Sequence, residues 1–140
     1  MPFVVDASIT ANWAFLEDDP RAEIAFERLL VESATAPWLW WYEVRNLLIA
    51  RERSQHRNPA NTAAFLAFLA TLPIRLDAAP DEDEVLRLAR NYNLTIYDAA
   101  YLELAERQRF ALATLDADLV RAARAEGIAL IEKKEHRKGR

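Results

Sequence analysis

A chain of 140 residues with 52% hydrophobic side chains and two glycines is long enough to bury one core, and too apolar for disorder or low complexity. The absence of cysteine excludes a disulfide framework, a thiolate metal site and a cysteine nucleophile. The net charge of −4 divides unevenly: residues 133–140 hold five Lys/Arg and one Glu (+4), while the other 132 residues hold 13 basic and 21 acidic side chains (−8), an acidic body that disfavours adventitious nucleic-acid binding unless a bound cation reverses the local field.

Phe3-Val4-Val5 reads as a short buried strand. The start Met1-Pro2-Phe3 lacks the basic region and long apolar stretch of a signal peptide, and no run approaches the roughly 20 apolar residues of a membrane span, so a soluble cytoplasmic protein is expected. Helical patterns follow at about 8–16 and 20–33, the second opening at Pro20 with Ile24, Phe26, Leu29 and Leu30 at apolar positions. Residues 34–37 form a connector or a strand. A helix from 38 to about 53 is apolar nearly all round in its first half. Asn58-Pro59 breaks the pattern before another helix to about 72, and 73–76 reads as a strand.

Pro80 precedes a helix whose first turn is Asp81-Glu82-Asp83-Glu84, an acidic run that suits a helix N-terminus and is read as solvated capping. A helix from about 96 to 107, a strand at 111–114, a helix at 117–126 stopped by Gly127, and a final strand at 128–131 complete the chain. Short apolar runs alternating with helices predict an α/β sandwich with a mostly parallel sheet, in which ligands bind beyond the carboxyl ends of the strands.

Four carboxylates interrupt or end apolar segments. Asp6 closes the first strand, Glu43 lies within Trp38-Leu39-Trp40-Trp41-Tyr42-Glu43-Val44, Asp98 opens an Ala/Tyr/Leu run, and Asp116 follows Phe110-Ala111-Leu112-Ala113-Thr114-Leu115. Each has a structural alternative. Asp6 and Asp116 are placed to cap the helices that follow, and Thr95 with Asp98 fits a capping box. Glu43 has Leu39, Trp40, Asn46 and Leu47 one turn away, so it is either a ligand with Asn46 as hydrogen-bonding neighbour or half of an ion pair with an arginine elsewhere.

Two carboxylates about 5 Å apart at an effective dielectric of about 20 repel by roughly 3 kcal/mol, so four that converge call for a cation. An all-oxygen set favours Mg²⁺ or Mn²⁺, and His56 and His136 fit no zinc spacing. Spacing alone leaves convergence open. A phosphatase or phosphotransfer role for Asp6 is disfavoured, because haloacid-dehalogenase-type phosphatases use Asp-x-Asp and position 8 is Ser.

Four segments in order, Val4-Val5-Asp6-Ala7-Ser8, Glu43-Val44-Arg45-Asn46-Leu47-Leu48, Tyr97-Asp98-Ala99-Ala100-Tyr101-Leu102-Glu103-Leu104-Ala105 and Ala113-Thr114-Leu115-Asp116-Ala117-Asp118-Leu119, resemble the motifs of the PIN-domain nucleases, specifically the VapC toxins of bacterial and archaeal toxin–antitoxin pairs. Any one of these motifs is weak; four in this order are specific. The resemblance spans about residues 3–131, implying one PIN-like three-layer α/β/α domain over 1–132 and a basic tail at 133–140. That tail is read as a solvated terminus, with phosphate binding as the alternative.

The resemblance further implies a Mg²⁺-dependent endoribonuclease (Mn²⁺ as alternative ion), the toxin of a type II toxin–antitoxin system. Asp6, Glu43, Asp98 and Asp116 would be the metal-holding catalytic acids, with Ser8, Asn46 and Thr114 orienting them. Asp118 is either a further acid of the site or a first-turn acid of its helix, the latter preferred. Implied partners are RNA, a VapB-type antitoxin and a second copy of the chain. Trp13, Trp38, Trp40 and Trp41 are candidates for those interfaces or for the core. Arg45, Arg51, Arg53 and Arg57 are candidate RNA contacts or a solvated helix end. The competing class is a non-catalytic PIN-like module that holds metal or RNA.

Overall fold

The computed structural model describes residues 1–132, and the basic segment 133–140 lies outside the described residues. In chain order the elements are β1 (Phe3–Val5), α1 (Ala7–Phe15), α2 (Pro20–Leu29), β2 (Ala34–Pro37), α3 (Leu39–Gln55), α4 (Pro59–Leu69), β3 (Ile74–Asp77), α5 (Glu82–Tyr92), α6 (Ile96–Gln108), β4 (Ala111–Ala113) and α7 (Ala117–Glu126). The four strands form one parallel sheet in the order β3-β2-β1-β4. Phe3, Val4 and Val5 are wholly buried, as a central strand covered on both faces requires.

From β1 the chain steps outward to β2 and β3, then crosses back to lay β4 on the other side of β1. Right-handed crossovers in opposite directions put α1–α4 over one face and α5–α7 over the other, a three-layer α/β/α sandwich. Contacts agree: α1 packs on α2 and α3, α3 on α4, and α6 on α5, α7 and three of the strands. The reversal opens a crevice between the carboxyl ends of β1 and β4, the switch point where ligands sit in such sheets.

Several element boundaries differ from the sequence reading. Residues 128–131 make a single bridge, Leu130 to Leu112, with two flanking backbone hydrogen bonds instead of a full strand. The second helix ends at Leu29, and Leu30 and Val31 are exposed; its buried face is Ala22, Ala25 and Leu29. The start of α3 is apolar nearly all round but is buried on one side alone, with Trp40 buried and Trp38, Trp41 and Tyr42 exposed. The acidic run at 81–84 is helix capping: Asp81 accepts from the Glu84 N–H, and Glu84 pairs with Arg87. Among the described residues no helix is long and apolar enough to cross a membrane.

Candidate active site

Asp6 stands where β1 gives way to α1, in the N-cap position, yet its side chain makes no cap hydrogen bond. Its Oδ2 instead accepts from Ser8 Oγ at 2.8 Å and Thr114 Oγ1 at 2.6 Å. The same hydroxyls accept in turn from the backbone beyond β4: Leu115 N–H donates to Ser8 Oγ at 2.9 Å and Asp116 N–H to Thr114 Oγ1 at 3.0 Å. Ser8 and Thr114 therefore stitch the two strand ends together and fix the orientation of one buried carboxylate. Burial raises the Asp6 pKa and the Asp116 charge adds to it, against the two hydroxyl bonds that lower it.

Glu43 lies in the second turn of α3, half-buried, and its Oε1 accepts from the Tyr101 hydroxyl of α6 at 2.5 Å. Among the described residues no arginine pairs with Glu43. Asn46 is exposed and makes no hydrogen bond to Glu43, because one turn further along α3 the helix surface has turned to solvent. Burial, then the charges of Asp6 and Asp98, raise the Glu43 pKa against the lowering effect of Tyr101. Tyr101 is wholly buried, and burial followed by the Asp6 and Glu43 charges pushes its phenol far up, so it stays a donor. No role was assigned to Tyr101 from sequence. Its signal was the three-residue spacing from Asp98, which puts both on one side of α6.

Asp98 sits in the first turn of α6, where Thr95 accepts from its backbone N–H at 3.0 Å. Its carboxyl is pushed up to about 6, first by burial and then by the charges of Asp116, Asp6 and Asp118. Asp116 does cap α7: its Oδ1 accepts from the N–H groups of Asp118 (2.9 Å) and Leu119 (3.0 Å), leaving Oδ2 uncommitted. Asp118 is exposed in the first turn of α7 and pairs with Arg121 at 2.9 Å.

The four acids thus surround the carboxyl edge of β1 and β4. Asp6 and Asp116 follow the strands, and Glu43 and Asp98 lie near the starts of helices running back along the sheet. Asp6, Glu43 and Asp98 are each raised first by burial and then by the charge of at least one of the other acids. Among the described residues none of the four has an ion-pair partner, whereas Asp19, Glu32, Asp77, Glu103 and Glu126 all pair with arginine. No three of the described acids or histidines stand close enough to grip one ion. An oxygen-only set of this openness suits a hard cation that keeps several waters and takes one or two carboxylates, as Mg²⁺ does, better than a closed cage.

The raised pKa values carry a sign. Asp98 ionises near 6 in the fold against an ordinary value of 3.8. Its contribution to stability is therefore complete below about pH 4 and is lost as pH rises through about 6. Melting in EDTA should show wild type losing stability over that window relative to Asp98→Asn, with a divalent cation restoring it at the upper end. Equal pH dependence of the two proteins would contradict this.

The arginines divide by helix face. Arg45 and Arg53 line an open surface depression of about 560 Å³ with Tyr42, Glu43, Asn46 and Ile49. Arg51 points the other way, 3.8 Å from the Phe15 ring centre and 3.8 Å from Glu17, and Arg57 also lies over Phe15. The tryptophans divide as well. Trp40 Nε1 donates to buried Thr10 and Trp13 Nε1 to the Ala22 carbonyl, both structural, while Trp38 and Trp41 remain exposed.

No curated protein matches the sequence significantly. Among solved structures, PAE2754 from Pyrobaculum aerophilum superposes with a TM-score of 0.71 at 25% identity, covering 94% of this chain and 84% of that one. A toxin–antitoxin complex from Klebsiella pneumoniae (TM-score 0.59, 16% identity, 94% and 99% covered) shares the fold. So does VapC20 of Mycobacterium tuberculosis, a sarcin–ricin loop cleaving toxin (0.58, 16%, 93% and 98%). The family model of the PIN domain matches residues 3–125, which spans all four acids and the whole sheet, and the chain belongs to the PIN-domain family.

Proposed function

We propose that the protein is a Mg²⁺-dependent endoribonuclease that hydrolyses RNA phosphodiester bonds and acts as the toxin of a type II toxin–antitoxin pair. The observation that carries the nuclease reading is Asp6, a buried carboxylate held by two hydroxyls, with no arginine partner among the described residues, beside three further acids. The toxin reading rests on likeness in fold to VapC20 and to a toxin–antitoxin complex, and brings with it a VapB-type antitoxin as partner and a homodimer as the working form.

Bound Mg²⁺ (or Mn²⁺) supplies polarisation of the scissile phosphate and a lowered pKa for the attacking water. The residues do the rest. Asp6, fixed by Ser8 and Thr114, would hold the ion directly with Asp98 or Asp116, the remaining acids acting through water. Glu43, oriented by Tyr101, faces the same crevice and positions water or ligates. In-line hydrolysis leaves a 5′-phosphate and a 3′-hydroxyl.

Incubation with total RNA tests this. Cleavage with Mg²⁺ that stops on adding EDTA and yields 5′-phosphate ends is the expected result; undiminished cleavage in EDTA sinks the metal mechanism. Induction of the gene should arrest growth, and co-expression of a small open reading frame beside it should relieve the arrest. RNA cleavage without growth arrest would leave a nuclease that is no toxin.

A further inference from the structure

One face of α3 is at odds with the acidic chain that carries it. Trp40, Val44 and Leu48, four residues apart, form the buried side of this helix. Tyr42, Arg45, Asn46, Ile49 and Arg53 recur at helical spacing on another side, and with Glu43 they wall the depression of about 560 Å³. Tyr42 is 67% exposed. Its ring stands edge-on to Trp41, with centroids 5.0 Å apart, and the Arg45 guanidinium lies 3.9 Å from the same indole while donating to the Trp41 carbonyl at 3.1 Å. Arg45 is thereby held along the wall of the depression. Among the described residues neither Arg45 nor Arg53 has an acidic partner, and the Asn46 amide makes no hydrogen bond.

A planar ring and two guanidinium groups also suit a protein interface, where Tyr and Arg are enriched, but two cations without acidic partners among the described residues, on an otherwise acidic chain, favour a polyanion. Ring, amide and guanidinium groups together make a good receptor for an unpaired nucleobase: a face to stack on, a donor–acceptor pair for the base edge, and cations for the adjoining phosphate. Glu43 belongs both to this depression and to the acidic crevice, so a base seated here is joined to a phosphate at the candidate reaction centre.

Resting on the ribonuclease reading above, we propose that this depression holds one unpaired RNA base flanking the scissile phosphate. Tyr42 is the stacking platform, Asn46 reads the base edge, and Arg45 and Arg53 hold the neighbouring phosphate.

The test uses the full chain carrying Asp6→Asn, so that RNA is bound and not cut, and fluorescence anisotropy of labelled single-stranded RNA 8-mers randomised in base composition. Added Tyr42→Ala should weaken binding about tenfold, within the range for one lost base stack, and Tyr42→Trp should restore it. Asn46→Ala should flatten the preference among the four bases at one position while binding to the preferred base falls. Melting temperature should not change, since both side chains are exposed. Affinity within twofold of the parent after Tyr42→Ala overturns the proposal. So does a loss that Tyr42→Trp does not restore, or a loss of dimer in sedimentation with RNA affinity intact, which would make this face a contact between copies. A wild-type chain that does not cut RNA, with an Asp6→Asn chain that does not bind it, overturns the ribonuclease reading itself, and is told apart by failing before any α3 change is made.

Discussion

Asp6→Asn is expected to abolish Mg²⁺-dependent RNA cleavage while leaving the metal-free protein at least as stable as wild type. Asparagine keeps an oxygen to accept from Ser8 and Thr114 and removes a charge that burial and Asp116 both oppose. Electrostatic help from a bound metal is worth several kcal/mol, and about 1.4 kcal/mol is tenfold in rate, so a loss of at least about 100-fold is expected. Asp6→Ala separates charge from shape. It strips both hydroxyls of their acceptor and should cost about 1–3 kcal/mol in addition to activity. Rates with a labelled RNA, alongside urea unfolding in EDTA, check both halves. If Asp6→Asn destabilised the metal-free fold by more than about 2 kcal/mol, the carboxylate would be structural and its catalytic assignment would lose its main support.

Arg107→Met is expected to cost about 3 kcal/mol of stability, because it strands Glu103 in the core. Glu103 is 2% exposed on α6 and accepts from Arg107 Nε at 2.6 Å and Nη2 at 3.1 Å. The same guanidinium reaches Asp77 at the end of β3, at 2.8 and 3.3 Å, tying α6 to the sheet edge. This arginine lowers the Asp77 pKa, and the two acids raise that of Arg107. Removing the charge that remains, in Glu103→Gln with Arg107→Met, should recover most of the loss, since a pair replaced whole is often nearly neutral. Urea unfolding of the single and double variants decides it. A cost below about 1 kcal/mol for Arg107→Met would class the cluster with solvent-screened surface pairs. Glu103 lies within the third resembling motif, and the structure makes it a brace for the helix that carries Asp98 and Tyr101.

The legible part of the fold was the part dictated by local pattern. Phe3-Val4-Val5 ending in Asp6 reads as a buried strand delivering a carboxylate, and it is the central strand of the sheet. Helix starts at Pro20, Pro59 and Thr95 were marked by Pro or by a cap, and all three hold. What could not be read was decided by partners remote in sequence. Residues 128–131 look like a strand, but only Leu130 bridges to β4, at Leu112.

The site shows the same division. Capping explained Asp6, Asp98 and Asp116 from sequence; Thr95 and Asp116 do cap their helices, whereas the Asp6 carboxylate is taken by hydroxyls from two strand ends. Glu43 was singled out as a buried acid without a helical partner; its true companion, Tyr101, is 58 residues away on another helix. From sequence, Asn46 is expected to steady Glu43 and Arg51 to meet RNA; Asn46 shares a wall with Glu43 without bonding to it, and helix geometry turns Arg51 to α1.

Convergence of the acids on one cation is tested most directly by anomalous diffraction from crystals soaked in Mn²⁺. The expected result is a Mn²⁺ peak in the crevice between β1 and β4, in contact with the Asp6 carboxylate and with Asp98 or Asp116, and absent from Asp6→Asn crystals soaked alike. A crevice without bound Mn²⁺ at saturating concentration, or a peak that survives Asp6→Asn unchanged, would contradict it.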